Sequence, residues 1–370
     1  MIPFKYGSVV SGKDFCGRRD SIKELTEFII SSQNVLIQGE RRIGKTSLIY
    51  ETVRKMKNYR PLFIDLMEIK TSHDFCRRTI KSIITLETKS NFLAKVLKHL
   101  SSLRPQLGID PLTGSPTVSL DPSVKLTPNS LEEIFDLIKE INKKKNIVVV
   151  FDEFQDILNL SDSGETIAVL RSKIQYHNDI PYIFAGSMRN RMDEIFTGPD
   201  SPLFKSAIPM TVGPLSKKEF LEFTRRKFLT GKRTITDNTL EQIFKITDNV
   251  TGDTQQLCEA LWSVTSYGDS ISGNRFSDAF ELIFSREAKS YELILSELTS
   301  LQFKCLAGLA KSGGASPTSS SFLKSTGISQ PSSVTKALSK LLKLKIIFKV
   351  NNKYRFFNPF FKAWINCKNL

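Results

Sequence analysis

The sequence predicts an α/β fold, a parallel sheet covered by helices, followed by a wholly helical segment and a small basic module. Three observations carry this. Five short apolar runs, at residues 35–38, 62–66, 147–151, 182–185 and 209–212, alternate with helical patterns, the signature of a parallel sheet between helix layers. After Gly213-Pro214 no further strand pattern appears until residue 346. From residue 298 three helical stretches lead into two short strands flanking Asn351-Asn352, a two-residue hairpin turn signal, and three helices with a hairpin predict a winged helix. The expected domains are 1–213, 214–297 and 298–370.

The first run, Val35-Leu36-Ile37, leads into Gly39-Glu40-Arg41-Arg42-Ile43-Gly44-Lys45-Thr46, which fits the phosphate-loop spacing G-x-x-x-x-G-K-S/T. A helical pattern from Ser47 follows, so the loop has the required strand before it and helix after it. Its backbone N–H groups are expected to curl around phosphates, Lys45 to reach the β and γ oxygens, and Thr46 to offer its hydroxyl to Mg²⁺. The fold class is therefore a P-loop NTPase parallel-sheet core with a helical lid domain and a C-terminal winged helix.

The third run ends in Asp152-Glu153, the Walker B pattern. Asp152 is expected to hold the magnesium and Glu153 to orient or deprotonate the attacking water. The fourth run ends at Gly186-Ser187, placing a hydroxyl where a γ-phosphate sensor is expected. Arg189 and Arg191 follow, and spacing leaves open whether either meets the phosphate or lines the surface. Between the second and third runs lies an insertion, residues 88–130, whose 106–122 part reads as a hairpin or ordered loop with no assigned chemistry.

In the helical segment, Ser216-Lys217-Lys218-Glu219 reads as a capping box opening a helix through Phe220, Phe223 and Phe228. Further helices are expected at 237–247, 253–266 and 275–298. In the last domain, helices are expected at 301–311, 320–325 and 331–344. Val334, Ala337, Leu338, Leu341 and Leu342 share one face of the third, leaving Lys336, Lys340 and Lys343 outside.

Charge is placed unevenly. Residues 298–370 hold eleven lysines, Arg355 and no carboxylate side chain, so they carry +12 of the net +15 and leave +3 for the rest. A concentrated basic module suits phosphate backbones, because each neutralised phosphate releases counterions. Lys336, Lys340 and Lys343 on the third helix, with Lys349, Lys353 and Arg355 on the wing, are the candidate DNA contacts. Lysines and serines there imply little base readout.

Five dispersed cysteines give neither a zinc pattern nor a disulfide framework, and no run of about 18 apolar residues occurs. A cytoplasmic protein is expected. His73, His99 and His177 lack ligand spacing and read as surface or packing residues.

Phe15-Cys16-Gly17-Arg18-Arg19-Asp20, the phosphate loop, Asp152-Glu153-Phe154-Gln155, Gly186-Ser187 and the closing stretch from Tyr354 through Phe357-Asn358-Pro359-Phe360 to Trp364 together resemble the archaeal-type ATPases. That group, also found in bacteria, belongs with the STAND and origin-recognition ATPases of the AAA+ class. The resemblance covers nearly the whole chain. It implies that Phe15, Gly17 and Arg18 lie near the adenine and that Ser187 is the sensor. Two positions depart from the pattern: Lys205 and Gln255 stand where arginines are expected. Lower charge at the γ-phosphate implies slow hydrolysis, since a missing arginine can cost about 10³-fold or more.

The function expected is a Mg²⁺-dependent ATPase acting as a nucleotide-driven switch or motor on DNA. The alternative is a STAND-type signalling scaffold that binds a protein partner and turns over slowly or not at all. A small-molecule kinase on the same loop fits Asp152-Glu153 and the winged helix less well. Homo-oligomers are compatible with either reading.

Overall fold

Residues 2–368, apart from 88, 113, 115, 122, 125, 188 and 351, are described by a computed structural model, without the side chains of Ser90, Arg189 and Asn190. The chain divides into two compact units, Val9–Pro214, and Met1–Ser8 with Leu215–Leu370.

In the first unit the strands Val35–Gln38, Tyr59–Asp65, Asn146–Asp152, Tyr182–Gly186 and Ile208–Thr211 form one parallel sheet. Its order is second, third, fourth, first, fifth. Both faces are covered, and so the strands read as continuous apolar runs rather than alternating ones. Val35, Ile37, Val148, Val150, Ile183 and Ala185 pack on one side with Leu25 and Ile29 of the helix Arg19–Ile30 and Leu48, Ile49 and Val53 of Lys45–Lys55. On the other, Phe151, Phe184 and Tyr182 stack on one another, Phe75 stacks on Phe151, and Phe154 meets Phe184 edge-on. Register sets the functional ends level. Gln38 lies opposite Gly186, and Asp65 opposite Asp152, so the residues leaving the first, third and fourth strands emerge at one edge. In open parallel sheets that carboxyl edge is where ligands bind.

After the second strand comes the helix Ser72–Thr85, and the insertion then holds the helix Ser90–His99 and an antiparallel pair, Gln106–Ile109 with Pro116–Ser119. The hairpin expected at 106–122 is present, although Thr113, Ser115 and Pro122 lie outside the described residues.

His177 is a packing residue with a pH consequence. It is buried, its Nδ1 lies 2.6 Å from the Tyr182 hydroxyl, and burial, followed by the nearby Lys139 charge, pulls its pKa down to about 4. The unfolded chain therefore takes up this proton first as the pH falls, and the His177 contribution to stability declines from about pH 6.5 through 4. Urea unfolding at pH 7 and 4.5 is expected to show a smaller loss on acidification in His177→Gln than in the parent. Equal losses would contradict this.

The second unit contains the helices Lys217–Leu229, Asp237–Ile246, Thr251–Ser263 and Phe276–Ser296. Two expectations are corrected here. Ser216 stands at the N-cap of Lys217–Leu229, at φ −52° and ψ 121°, but its side chain makes no cap bond, so half of the expected capping box is missing. The segment is also not wholly helical: Thr234–Ile235 pairs in parallel with Ser270–Ile271, a two-residue ladder too short for periodicity to reveal. Phe4 packs on Phe228 at 4.5 Å and near Trp262 at 6.2 Å, which joins the first eight residues to this unit.

The winged helix follows, as Ser300–Ser312, Ser320–Thr326, Pro331–Lys343, the antiparallel strands Ile347–Val350 and Lys353–Phe356, and a closing helix Pro359–Cys367. Asn351, the first residue of the expected turn, lies outside the described residues; Asn352 adopts φ 61°, as such a turn requires. The terminal aromatics are structural. Tyr291 of Phe276–Ser296 lies 5.0 Å from Phe361 and 5.4 Å from Trp364, while Asn358 caps the last helix and donates to Glu287. Glu287 also accepts from Gln256 and the Tyr291 hydroxyl, so three helices meet on one carboxylate.

Candidate nucleotide-binding site

The loop after the first strand is shaped by its two glycines. A Cβ at Gly39 would sit 2.5 Å from the Val212 carbonyl, and Gly44 adopts φ 98°, which a side chain would strain. Between them Glu40, Arg41, Arg42 and Ile43 form the turn, with Arg42 itself at φ 62°. Gly44 caps the helix Lys45–Lys55, so the open N–H groups of the helix start face the loop. The Lys45 ammonium is buried and donates to the carbonyls of Gly39 at 3.0 Å and Glu40 at 3.1 Å. Burial lowers its pKa, while Glu153 and Asp152 pull it upward.

Thr46 donates its hydroxyl to Asp152 at 2.6 Å, across 106 residues of sequence. Burial raises the Asp152 pKa, against the Thr46 hydrogen bond. A desolvated carboxylate beside a hydroxyl is a donor set that suits a hard divalent cation, whose charge would offset that penalty. Glu153 leaves the strand at φ 49° and opens the 3-10 helix Phe154–Asn159. Its Oε2 accepts from Ser187 Oγ at 2.8 Å and Gln155 Nε2 at 2.6 Å. Lys45, Thr46, Asp152, Glu153 and Ser187 are thus brought together by a register that no local pattern specifies.

Residues 15–257 match a family model described as an ATPase domain predominantly from Archaea, about two thirds of the chain, and residues 289–367 match a probable winged helix domain. The chain belongs to this archaeal ATPase family. A Walker-type ATPase of Pyrococcus abyssi shares the fold at 20% identity, covering 98% of this chain and 99% of its own, with a TM-score of 0.68. The ORC1 protein of Aeropyrum pernix, solved in complex with DNA, aligns over 97% of this chain and 96% of its own at 10% identity and a TM-score of 0.49. A RuvB variant of Thermotoga maritima aligns over 100% and 99% at 12% and 0.46. No curated protein matches in sequence.

Other site residues of this chain have partners that spacing did not announce. Arg18 donates to the carbonyls of Ile43 at 2.8 Å and Gly213 at 2.9 Å, tying the phosphate loop to the exit of the last strand. Phe15 packs against the core around Leu25 and Leu48, and Gly17 adopts φ 62°. Ser47 accepts the Val10 N–H at 3.1 Å, and Glu51, one turn on, accepts the Gly12 N–H at 2.9 Å. Arg54 grips the same carboxylate through two 2.8 Å bonds and is the main reason its pKa falls to about 2. Glu51 and Ser47 therefore strap residues 10–12 to the helix of the phosphate loop, a function invisible in a generic helical pattern.

Arg191 binds Asn159 at 2.9 Å and Asp156 at 3.5 Å, which ties it to the 3-10 helix, whereas the Arg189 side chain lies outside the described residues. In the other unit, Lys336, Lys340, Lys343, Lys349 and Lys353 are exposed. Arg355 differs: it is half-buried and 3.9 Å from Asp248, so part of its charge is already answered. No helix among the described residues is long and apolar enough to cross a membrane.

Proposed function

We propose that this protein binds ATP with Mg²⁺ and hydrolyses it, as a nucleotide-driven switch or motor that engages DNA through its winged helix. The observation that carries the reading is the convergence of the buried Lys45 ammonium, the Thr46–Asp152 pair at 2.6 Å and the Glu153 carboxylate at one sheet edge. Backbone groups from Gly39 to Ser47 cradle the phosphates. Lys45 leaves the Gly39 and Glu40 carbonyls for the β and γ oxygens, and Phe15, Gly17 and Arg18 border the nucleotide. Thr46 and Asp152 would hold the magnesium, which supplies charge neutralisation on the transferring phosphoryl group. Glu153 accepts the proton of the attacking water as its oxygen bonds the γ-phosphorus and the bond to the β-phosphate oxygen breaks. Ser187, bonded to Glu153, reports on the γ-phosphate. Lys205 and Gln255 in place of arginines fit slow turnover.

Loss of the γ-phosphate contacts on hydrolysis is the kind of change that switches a two-state element. ATPase rate with and without duplex DNA tests the whole reading, with stimulation by DNA as the expected result. The +12 charge of residues 298–370 motivates the DNA partner. Replacing the exposed Lys336, Lys340 and Lys343 by Glu should weaken duplex binding across sequences and flatten its dependence on salt, by about 0.9 in log–log slope for each lost phosphate contact. The buried face of Val334, Ala337, Leu338 and Leu341 is untouched, so folding should survive. Unchanged affinity and slope in a folded triple variant would remove this helix as the DNA element. Pairing of Arg355 with Asp248 favours the scaffold reading to the extent that it anchors the wing within its own unit. Negligible DNA binding near physiological salt, with binding to an acidic protein, would establish that reading instead.

A further inference from the structure

Gln155 is an amide in a place that burial reserves for hydrocarbon. It is 2% exposed, in the first turn of the 3-10 helix Phe154–Asn159, flanked by the buried Phe154 and Ile157. Among the described residues its buried Oε1 has no hydrogen-bond partner, a standing cost that a methionine or leucine of similar size would avoid. What the amide gains is on its other end, where Nε2 donates to Glu153 Oε2 at 2.6 Å. The orientation is fixed by charge. Exchanging the amide oxygen and nitrogen would set an oxygen lone pair against the carboxylate at that distance.

Room for this amide is provided by Gly186. A Cβ there would fall 2.7 Å from Gln155 Oε1 and 2.6 Å from Met192 Sδ, so any side chain would displace the glutamine. Ser187, the next residue, gives the second donor to Glu153 Oε2 at 2.8 Å. Both donors act on one oxygen. Among the described residues none donates to Glu153 Oε1. The backbone of Glu153, at φ 49°, is a conformation that a residue with a side chain keeps only where its surroundings hold it.

We propose that Gln155 is a positioning residue for hydrolysis: with Ser187 it fixes Glu153 Oε2, and thereby leaves Oε1 turned out as the oxygen that takes the proton from water. The assignment rests on the ATPase reading above. When Ser187 is drawn to the γ-phosphate, Gln155 remains to hold the carboxylate, so the base stays aimed in the ATP state.

The test is single-turnover ATP hydrolysis and ATP affinity in four proteins: the parent, Gln155→Met, Glu153→Gln and the double variant. Methionine keeps the volume and removes the donor. Gln155→Met is expected to lower the hydrolysis rate about tenfold while ATP affinity stays within about twofold, because only the base loses its aim. In the Glu153→Gln background the same change should have no further effect. If Gln155→Met costs as much in both backgrounds, or if affinity falls with the rate, the residue is merely structural and the assignment fails. Gly186→Ala, which pushes the amide from the other side, should repeat the pattern and carries the test if Gln155→Met does not fold. Loss of hydrolysis in Glu153→Gln with parental rates in Gln155→Met and Gly186→Ala overturns the role of Gln155 alone. Parental hydrolysis in Glu153→Gln overturns the ATPase reading with it.

Discussion

Lys45→Ala is expected to abolish ATP binding at any working concentration, with affinity falling by about 100-fold or more, on the order of 3 kcal/mol. The ammonium is buried inside the phosphate loop, held by the Gly39 and Glu40 carbonyls, and on the proposed reading phosphate oxygens would take the place of those carbonyls. The fold should tolerate the change, since the helix Lys45–Lys55 packs through Leu48, Ile49 and Val53 rather than through the lysine. Calorimetry with ATP on a variant of parental thermal stability is the measurement. Unchanged affinity would mean that this loop is a turn without a ligand.

Glu153→Gln separates binding from chemistry. The amide spares Asp152, Thr46 and the lysine, and its carbonyl oxygen still accepts from Ser187, so ATP should bind as in the parent. It cannot take a proton from water. Hydrolysis is expected to fall by about 10²- to 10⁴-fold, the range typical of a lost general base. A trapped ATP complex, isolated and quantified after incubation with Mg²⁺, would show the expected state. Poor ATP retention in this variant would instead make Glu153 a structural support of the loop.

The sequence by itself determined the sheet, the phosphate loop and the winged helix, because each is written in short-range spacing. Runs of Val, Ile and Leu mark strands buried on both faces, and the loop needs its two glycines and lysine within eight positions. The helix Pro331–Lys343 was legible for the same reason, with Val334, Ala337, Leu338 and Leu341 at helical intervals. The pair Thr234–Ile235 and Ser270–Ile271 was not, since two residues carry no period. Only the tertiary structure decided the partners of the site residues. Arg18 meets Gly213 across 195 positions, Thr46 meets Asp152 across 106, and Arg355 on the wing lies 3.9 Å from Asp248. Gln155 could be seen in the sequence but not understood, because its worth depends on Gly186 leaving room beside it. The contacts of Arg18, Thr46 and Gln155 follow from the order of the five-stranded sheet, and long-range strand order is fixed by packing both faces at once, which no local pattern of residues encodes.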